Sequence, residues 1–585
     1  MLSVERSIPT SSRETLRSTL RVTSWSPGRL VIVGLPLLVG IIVALPTVLL
    51  MANSFNAAEA GQQATFGFKN WTDAFGSSAT VSSLWNSLGL AVVRTAISMP
   101  LGIALTWLVT RTDMPGRAGI ELLSWLSIFT PILPLTLGWI MLLDPKFGLI
   151  NAGLAHLPFM HGKAFNVYSF WGITWVHLAS SAIAFKVVLL APAFRRVSAS
   201  TEQAARVCGA SLVQSVVKIT LPLLAPAVLL VTLISLVFSF EAFEVELLLG
   251  TPARFYVYST RIYDLVNNQP SNVGAATALA FIFVIWLLAL AGAYRWFLRG
   301  KSFTTVTGSG YDTRPLRLGR WGAVASAASY GFFLVALAAP FVFLVLGSFM
   351  RVFGFFGGTV NPFTLGQWQA LFADPAFGTG VKNTLIIASV SAVAVILIYS
   401  AVAYAIVRGR SGALQVVDFL VWSPWAMPGI LMSLGLLWLF LATPLRTVLY
   451  GSVIGIIVAF VVRGSPLSTQ FFKASLLQVG RDLEEAGRVC GGRWLLVYRR
   501  ILLRLLAPTA ITVGLLSFLQ AVHDVPTAVL LYSANSRPLS ILMLEYAFSG
   551  TRERGAAVGV LITGFVMIVL LGARFFGYRL SRERL

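Results

Sequence analysis

Five ionisable residues inside apolar stretches of the sequence are the side chains best placed to do chemistry. Glu241, Glu244 and Glu246 lie in one stretch. His523 and Asp524 lie in another. Ionisable groups in apolar surroundings are costly and are functional by default. We predict that they line or gate a path for a polar solute near the outer end of a helix; the alternative is that they meet water there.

A metal site at these residues would need several converging ligands. Carboxylates in one stretch and a histidine in another suggest such a site only weakly, so no metal ligand is assigned. His156 and His161 are five residues apart and do not share one helical face. Arg94, His177 and Lys186 also lie in apolar stretches, and we interpret them as helix-packing or path-lining groups without an assigned role.

The sequence has a near match to the phosphate-binding loop of ATPases at Gly300, Lys301 and Ser302. Arg295 stands where the first glycine of that loop belongs, and an apolar run precedes the segment where a strand is required. We therefore predict that this chain has no catalytic residues, binds no cofactor and does not hydrolyse ATP.

A repeated segment is the most informative pattern in the chain. Residues 202–209, read as Glu–Gln–Ala–Ala–Arg–Val–Cys–Gly, reappear at 484–491 as Glu–Glu–Ala–Gly–Arg–Val–Cys–Gly. Small residues in each copy would let a short helix and the turn after it approach another surface closely; they are Ala204, Ala205 and Gly209, and Ala486, Gly487 and Gly491. The alternative is a pair of amphipathic surface helices that only connect longer ones.

The composition places these segments in a membrane protein. Apolar residues make up 57% of the 585 residues, and only 11% are charged. Runs of about 20 apolar residues are long enough to cross a bilayer as helices, and they lack the alternation that membrane strands require. The formal charge of +22 raises the possibility of nucleic-acid binding. Most Lys and Arg residues fall in the tails and alternate loops, so we interpret the charge as the positive-inside bias.

About six spans per half are predicted, and the fold class is all-α. The first half has spans near 30–52, 84–109, 120–143, 168–192, 223–249 and 273–298. The second has spans near 321–349, 383–407, 416–441, 448–463, 505–532 and 555–577. The predicted domains are an N-terminal tail (1–29), a first repeat (30–298), a linker (299–320), a second repeat (321–577) and a C-terminal tail (578–585). Both tails and the linker are predicted to be cytoplasmic, and Cys208 and Cys490 to be free thiols on that side.

Further matches show that the two halves are a duplication. Pro46 matches Pro340, and Arg111 matches Arg408. An even number of spans between equivalent points gives both repeats the same orientation, with an axis along the membrane normal. A pore between the halves is then the natural geometry.

The repeated segment resembles the EAA motif of permeases from ATP-binding-cassette importers. That motif is E-A-A, three residues, G, nine residues and I-x-L-P; here the first copy continues into Ile219–Thr220–Leu221–Pro222 and the second into Ile501–Leu502–Leu503–Arg504. Gln203 replaces the glutamate of the first copy, although Glu202 precedes it, and Gly487 and Arg504 depart in the second copy.

The resemblance implies that each segment is a coupling helix in a groove of a nucleotide-binding subunit. Glu202 or Gln203, and Glu485, would make the polar contacts, and Glu484 belongs to the same coupling segment. It implies as partners two cytoplasmic ATP-binding subunits, which hold ATP and magnesium, and an extracytoplasmic solute-binding protein. The location implied is the bacterial inner membrane.

Fused double permeases of this length look most like those of ferric-iron importers. The run from Glu241 to Val245, followed by residues 248–252, is similar to that subgroup. Importers of thiamine, polyamine or aminophosphonate share the architecture. A secondary transporter driven by an ion gradient is the alternative from another class, and it would carry an acidic or polar site on broken helices near the midplane.

Overall fold

A computed structural model describes residues 27–57, 63, 65–155, 165–197, 202, 204–205, 207–299, 315–354, 361–409 and 411–582. Throughout these ranges the secondary structure is helical, apart from three isolated β-bridges. His156, His161, Gln203 and residues 300–302, each considered in the sequence analysis, lie outside the described residues, as do most of the two tails and the linker.

The helices of the first half are numbered in chain order. They are α1 Pro27–Ser54, α2 Lys69–Gly76, α3 Ser78–Arg111, α4 Arg117–Phe129, α5 Ile132–Leu143, α6 Leu149–Leu154, α7 Phe170–Arg196, α8 Val213–Leu223, α9 Ala225–Glu241, α10 Tyr258–Asn267 and α11 Val273–Leu298. A π-helical turn at Leu178–Ala182 interrupts α7, and another at Glu246–Gly250 follows α9.

The helices of the second half repeat this order. They are α12 Arg320–Ser348, α13 Gly366–Ala373, α14 Pro375–Arg408, α15 Gly412–Leu420, α16 Gly429–Ala442, α17 Arg446–Leu449, α18 Val453–Arg463, α19 Ser465–Leu477, α20 Asp482–Val489, α21 Trp494–Leu505, α22 Ala507–His523, α23 Leu539–Phe548 and α24 Arg552–Arg582. The helices α3 and α14 are equivalent, and each has 34 residues.

Seven helices within the described part of the chain are long and apolar enough to cross a membrane, and five bent helix pairs raise the total to as many as 12 spans. The predicted all-helical fold with about 12 spans is thus confirmed. Both halves follow the same sequence of elements, as a parallel duplication requires.

Three predicted spans differ in shape from the straight helices expected. The span predicted at 120–143 bends by 99° between α4 and α5, and its counterpart at 416–441 bends by 115° before α16. Pro131 and Pro428 lie at these bends, where the missing N–H and fixed φ of proline interrupt a helix. The span predicted to end at 463 continues, after a 49° bend at Gly464, through α19 to Leu477.

The first helix of each half packs against the other half. Helix α1 lies against α15 and α16, and α12 lies against α4 and α5. A Cβ on Gly138 of α5 would overlap the backbone of Pro340, and a Cβ on Gly435 of α16 would come within 2.9 Å of the carbonyl oxygen of Pro46. The two halves are therefore locked by a pair of equivalent glycine–proline contacts.

Candidate functional site

Two adjoining cavities lie where the halves meet. The first has a volume of about 370 Å³ and the second about 340 Å³. Both are lined by Glu241 and Phe238 of the first half and by His523 of the second. Of the five ionisable residues singled out from the sequence, Glu241, Glu244, His523 and Asp524 line the larger cavity; Glu246 does not.

Glu241 connects the two halves. One of its carboxylate oxygens, Oε1, accepts hydrogen bonds from the backbone N–H of Gly429 at 3.0 Å and from the Arg463 guanidinium at 3.2 Å. The same guanidinium lies 3.3 Å from the Asp524 carboxylate. Arg463 thus joins an acid of the first half to an acid of the second. Sequence reasoning missed Arg463 because it was taken as the end of a span, although a lone charge after an apolar run was the available signal.

Glu244 also reaches the opposite half. Its Oε1 atom accepts a hydrogen bond from the backbone N–H of Val525 at 3.2 Å. The Asp524 side chain accepts the Thr527 N–H at 2.9 Å and so closes a tight turn after α22. These residues tie the segments that follow α9 and α22 to each other across the interface.

Glu246 lies in a separate buried network within the first half. Its Oε1 atom is 3.0 Å from Arg94 of α3 and 2.9 Å from the Nε2 atom of His177 in α7. The Glu246 and Arg94 side chains are almost completely buried. A buried arginine–carboxylate pair of this kind holds elements in place only while both partners remain, because removing one leaves an uncompensated charge.

Glu241 and His523 lie at helix ends. They are the last residues of α9 and α22. The larger cavity that they line is also lined by Arg94, near the middle of the 34-residue α3, and the smaller one by Arg463 at the bend between α18 and α19. Their predicted position near the outer end of a span stays a prediction.

Metal binding finds no support at these residues. No group of three or more His, Cys, Asp or Glu side chains that could hold an ion occurs among the described residues. The carboxylates instead accept hydrogen bonds from arginine or from backbone N–H groups.

The repeated segments form a second site with equivalent geometry in the two halves. In the second copy, Glu484 of α20 accepts hydrogen bonds from the Arg408 guanidinium at 2.7 Å and from the Tyr404 hydroxyl at 3.0 Å. In the first copy, Glu202 lies 3.7 Å from the Arg111 guanidinium and accepts a hydrogen bond from Thr220 at 2.7 Å. Each acid therefore anchors its segment to the end of a long helix, α3 or α14.

The inward orientation of these acids separates them from Glu485. Glu484 is buried and Glu485 is exposed. The most exposed apolar side chains of the two segments are Val207, 89% exposed, and Val489, 88% exposed. The described part of the first segment and the whole of the second thus present an apolar residue outward and turn an acid inward.

The terminal glycine of each segment has a conformational role. Gly209 has φ +86° and Gly491 has φ +80°, and no heavy atom lies within 4 Å of a Cβ built on either. The N–H that follows each glycine bonds back five residues, Ala210 to Ala205 and Gly492 to Gly487, which is the Schellman pattern of a helix end. Within the chain these glycines serve the left-handed turn; their close packing against another surface stays a prediction.

Gly487 does provide close packing. A Cβ there would come within 2.8 Å of Ile501 and 3.2 Å of Val497, so α20 lies directly on α21. Ala205 occupies the equivalent position of the first copy and is half-buried, whereas Ala204 and Ala486 are exposed.

Comparison with known proteins identifies relatives along the chain. A family model described as binding-protein-dependent transport system inner membrane component matches residues 413–584. The chain is 26% identical over 516 residues to the probable ABC transporter permease protein y4fN of Sinorhizobium fredii, covering 86% of this chain and 88% of that protein.

Two further relatives carry substrate names. The ferric transport system permease protein FbpB of Actinobacillus pleuropneumoniae is 26% identical over 558 residues, covering 94% of this chain and 78% of that protein. The molybdenum transport system permease protein ModB of Escherichia coli is 25% identical over 215 residues, which are 35% of this chain and 87% of that protein. The C-terminal part of the chain thus matches the family of binding-protein-dependent transport system inner membrane components, and most of its length is similar to ABC transporter permeases.

Proposed function

We propose that this permease moves its solute by alternating access, driven by two copies of a cytoplasmic ATP-binding subunit that dock on segments 202–209 and 484–491. The observation that carries the proposal is the matched geometry of the two segments. Each presents an exposed valine, Val207 or Val489, beside an acid that is bonded to an arginine on the longest helix of its half.

This geometry offers a route for movement. A docked subunit that pulls on segment 484–491 would pull on Arg408 through Glu484, and Arg408 ends the 34-residue α14. The same connection runs from Glu202 through Arg111 to α3. Two equivalent levers on opposite halves would open and close the interface that contains the cavities.

The remaining components follow from this assignment. ATP and magnesium would be held by the partner subunits, and Glu485 together with Gln203 would add polar contacts to them. A separate solute-binding protein would deliver the cargo, in keeping with the binding-protein-dependent family that residues 413–584 match. Both termini would lie in the cytoplasm, as the distribution of Lys and Arg residues favours.

Ferric iron is the cargo we favour. The support is the likeness to a ferric transport permease along 94% of this chain. Thiamine, polyamine or aminophosphonate remain alternatives on the same architecture, and a relative named for molybdenum transport shows that cargo varies in the family. Uptake of radioactive ferric iron by cells that express the complete gene cluster, compared with cells lacking this chain, tests the assignment. Uptake that does not depend on the chain would count against iron.

Gly209→Trp and Gly491→Trp test the docking segments. A side chain at a left-handed position strains the helix end, and the bulk would project into open space where the partner is proposed to sit. We expect each variant to insert into the membrane normally but to lose both solute uptake and co-purification with the ATP-binding subunit. Gly292→Trp, at a position with nothing within 4 Å and no positive φ, is the control and should transport normally. Full solute uptake by both Gly209→Trp and Gly491→Trp would contradict the proposal.

A secondary transporter is the second candidate, and one observation favours it. The ionisable cluster lies on helices that belong to bent pairs, and ion-coupled transporters hold their sites on broken helices. The two functions separate in membrane vesicles. Uptake that collapses with an uncoupler but survives inactivation of the ATP-binding subunit would favour ion coupling, whereas the opposite pattern supports the ATP-driven permease.

A further inference from the structure

The larger cavity between the halves contains a cation without a partner. Lys186 of α7 lines this cavity, and the residue is only 3% exposed. Across the ranges that the structure describes, no carboxylate lies within 4.0 Å of its ammonium group and no hydrogen bond engages it. A buried ammonium normally has an ionic or hydrogen-bonded partner, so this one has an unmet need for negative charge.

The neighbouring cations do not have this capacity. The three guanidinium nitrogens of Arg94 donate hydrogen bonds to Glu246, to the Leu90 carbonyl at 3.3 Å and to the Ser239 carbonyl. His177 is bonded to the same Glu246 carboxylate. Of the three basic side chains that the described first half contributes to this cavity, Arg94 and His177 are thus bonded to Glu246, whereas Lys186 is not.

The carboxylates across the cavity are held elsewhere. Glu241 and Asp524 are paired with Arg463, and Glu244 accepts the Val525 N–H. Among the described residues, none of these carboxylates pairs with Lys186.

The second half lacks this arrangement although its backbone is equivalent. Counting back from the equivalent residues Arg111 of α3 and Arg408 of α14 makes Tyr399 the counterpart of Gly102 in the other half. Gly102 leaves room for the stem of Lys186. A Cβ atom at position 102 would overlap the Cβ atom of Lys186. The spacing between segments 202–209 and 484–491 makes Ser468 the counterpart of Lys186 in the other half. A glycine–lysine pair in the first half is thus a tyrosine–serine pair in the second.

We propose that Lys186 binds an anionic group of the solute in transit, a carboxylate or an inorganic oxyanion, which for a ferric cargo is the anion bound to the iron, and that the first half alone carries this subsite. The proposal rests on the proposed function, because it makes the interface cavity part of the transport path. A volume of about 370 Å³ accommodates a small anion. The one-sided placement means that the solute crosses an asymmetric site in an otherwise pseudo-symmetric permease.

Protection of the Lys186 amine tests the subsite directly on the purified full-length chain. Pyridoxal 5′-phosphate forms an imine with lysine amines, borohydride reduces it, and mass spectrometry reports the labelling rate at each lysine. Sodium molybdate, phosphate and citrate are each added as competitors against sodium chloride of equal ionic strength. A competitor at about nine times its Kd fills about 90% of the site and should slow labelling of Lys186 about ten-fold. Labelling of the exposed Lys218 should not change.

Two outcomes would overturn the subsite. One is a Lys186 labelling rate that none of the three anions lowers. The other is absence of Lys186 labelling while Lys218 reacts fully, which would mean that the ammonium does not face an accessible cavity.

A second measurement uses thermal unfolding and does not depend on labelling. The protecting anion should raise the Tm of the wild type and of Lys186→Arg, but not that of Lys186→Met, which keeps the stem and loses the charge. Ser468→Ala, at the equivalent position of the other half, should retain the rise. An equal rise in Lys186→Met would refute the role of Lys186. Both measurements omit ATP and partner proteins, so failure to bind an ATP-binding subunit leaves their outcome unaffected.

Discussion

Glu202 and Glu484 occupy the same position of a duplicated motif, and both turn toward an arginine at the end of a long helix. The motif resemblance led us to expect that one acid of each copy meets a partner subunit. Glu484 is buried against Arg408 and Tyr404, which leaves Glu485, the acid expected to make that contact, as the exposed acid of the second copy. The orientation follows from the helix, because adjacent residues point about 100° apart and only one of the two can face α14.

Glu484→Gln and Arg408→Gln test this buried pair. Either change alone leaves one charge without its partner, so we expect each to lower the free energy of unfolding by about 3–5 kcal/mol. The double variant should lose less than the sum of the two, since no lone charge remains. Thermal or denaturant unfolding of the purified variants measures the coupling.

The exposed pair Arg195–Glu121 provides the control for that cycle. Its side chains are 51% and 29% exposed, so Glu121→Gln should cost less than about 1 kcal/mol. Equal losses for Glu121→Gln and Glu484→Gln would contradict the importance of burial at the motif.

Gly102→Ala and Gly292→Ala separate close packing from helix propensity. Both glycines lie inside long helices, where alanine is favoured by about 1 kcal/mol. A Cβ on Gly102 would overlap the Lys186 stem, whereas nothing lies within 4 Å of Gly292. We therefore expect Gly102→Ala to lower the Tm and Gly292→Ala to leave it equal or raise it. A rise in the Tm of both variants would show that the Lys186 stem moves aside at little cost.

At the scale of elements, the exchange of first helices holds the two halves together. Helix α1 packs against the second half and α12 packs against the first, so each half contacts the first helix of the other. The contacts depend on glycines in α5 and α16 that let proline-containing helices approach closely. Small residues at such crossings are typical of membrane helices, because lipid supplies no hydrophobic force between them and packing must do so.

Gly138→Ala tests this packing contact between the two halves. The added methyl group would overlap the Pro340 backbone, and overpacking of this kind costs about 1–3 kcal/mol. We expect a lower Tm and increased proteolysis near the start of α12. Gly34→Ala in α1, with nothing within 4 Å, should be neutral. Unchanged stability of Gly138→Ala would mean that α12 does not pack there.

The whole molecule is a parallel duplication whose charged interior is not duplicated. Arg94, Lys186 and Glu246 of the first half correspond by repeat spacing to Ser391, Ser468 and Ala528. The second half contributes Arg463, which reaches across to Glu241. The backbone of the two halves is equivalent, whereas the side chains that they contribute to the cavity between them differ.

Arg463→Gln tests the connection between the halves. The change would leave Glu241 and Asp524 close to each other without a cation, so we expect reduced thermal stability and loss of solute uptake while membrane insertion persists. Uptake assays and Tm of the purified variant measure both effects. Arg195→Gln, which breaks only an exposed pair, should transport normally. Normal uptake by Arg463→Gln would show that the ion pair is not part of the working path.

The sequence by itself determined the membrane class, the duplicated halves and the two repeated segments. These are local properties, since a run of apolar residues signals a span and an eight-residue repeat signals equivalence without reference to distant contacts. Twelve spans could be predicted for the same reason, although the bends at Pro131 and Pro428 were not recognised.

Only the tertiary structure decided what the ionisable residues contact. Arg463 meets Glu241 across 222 positions of the chain, and Arg94 meets Glu246 across 152. No periodicity reports such pairs, because they depend on how bent helices of two halves cross. The same holds for the position of Lys186 at the cavity, since a bend between helices and the lining of a cavity are properties of packing and not of composition.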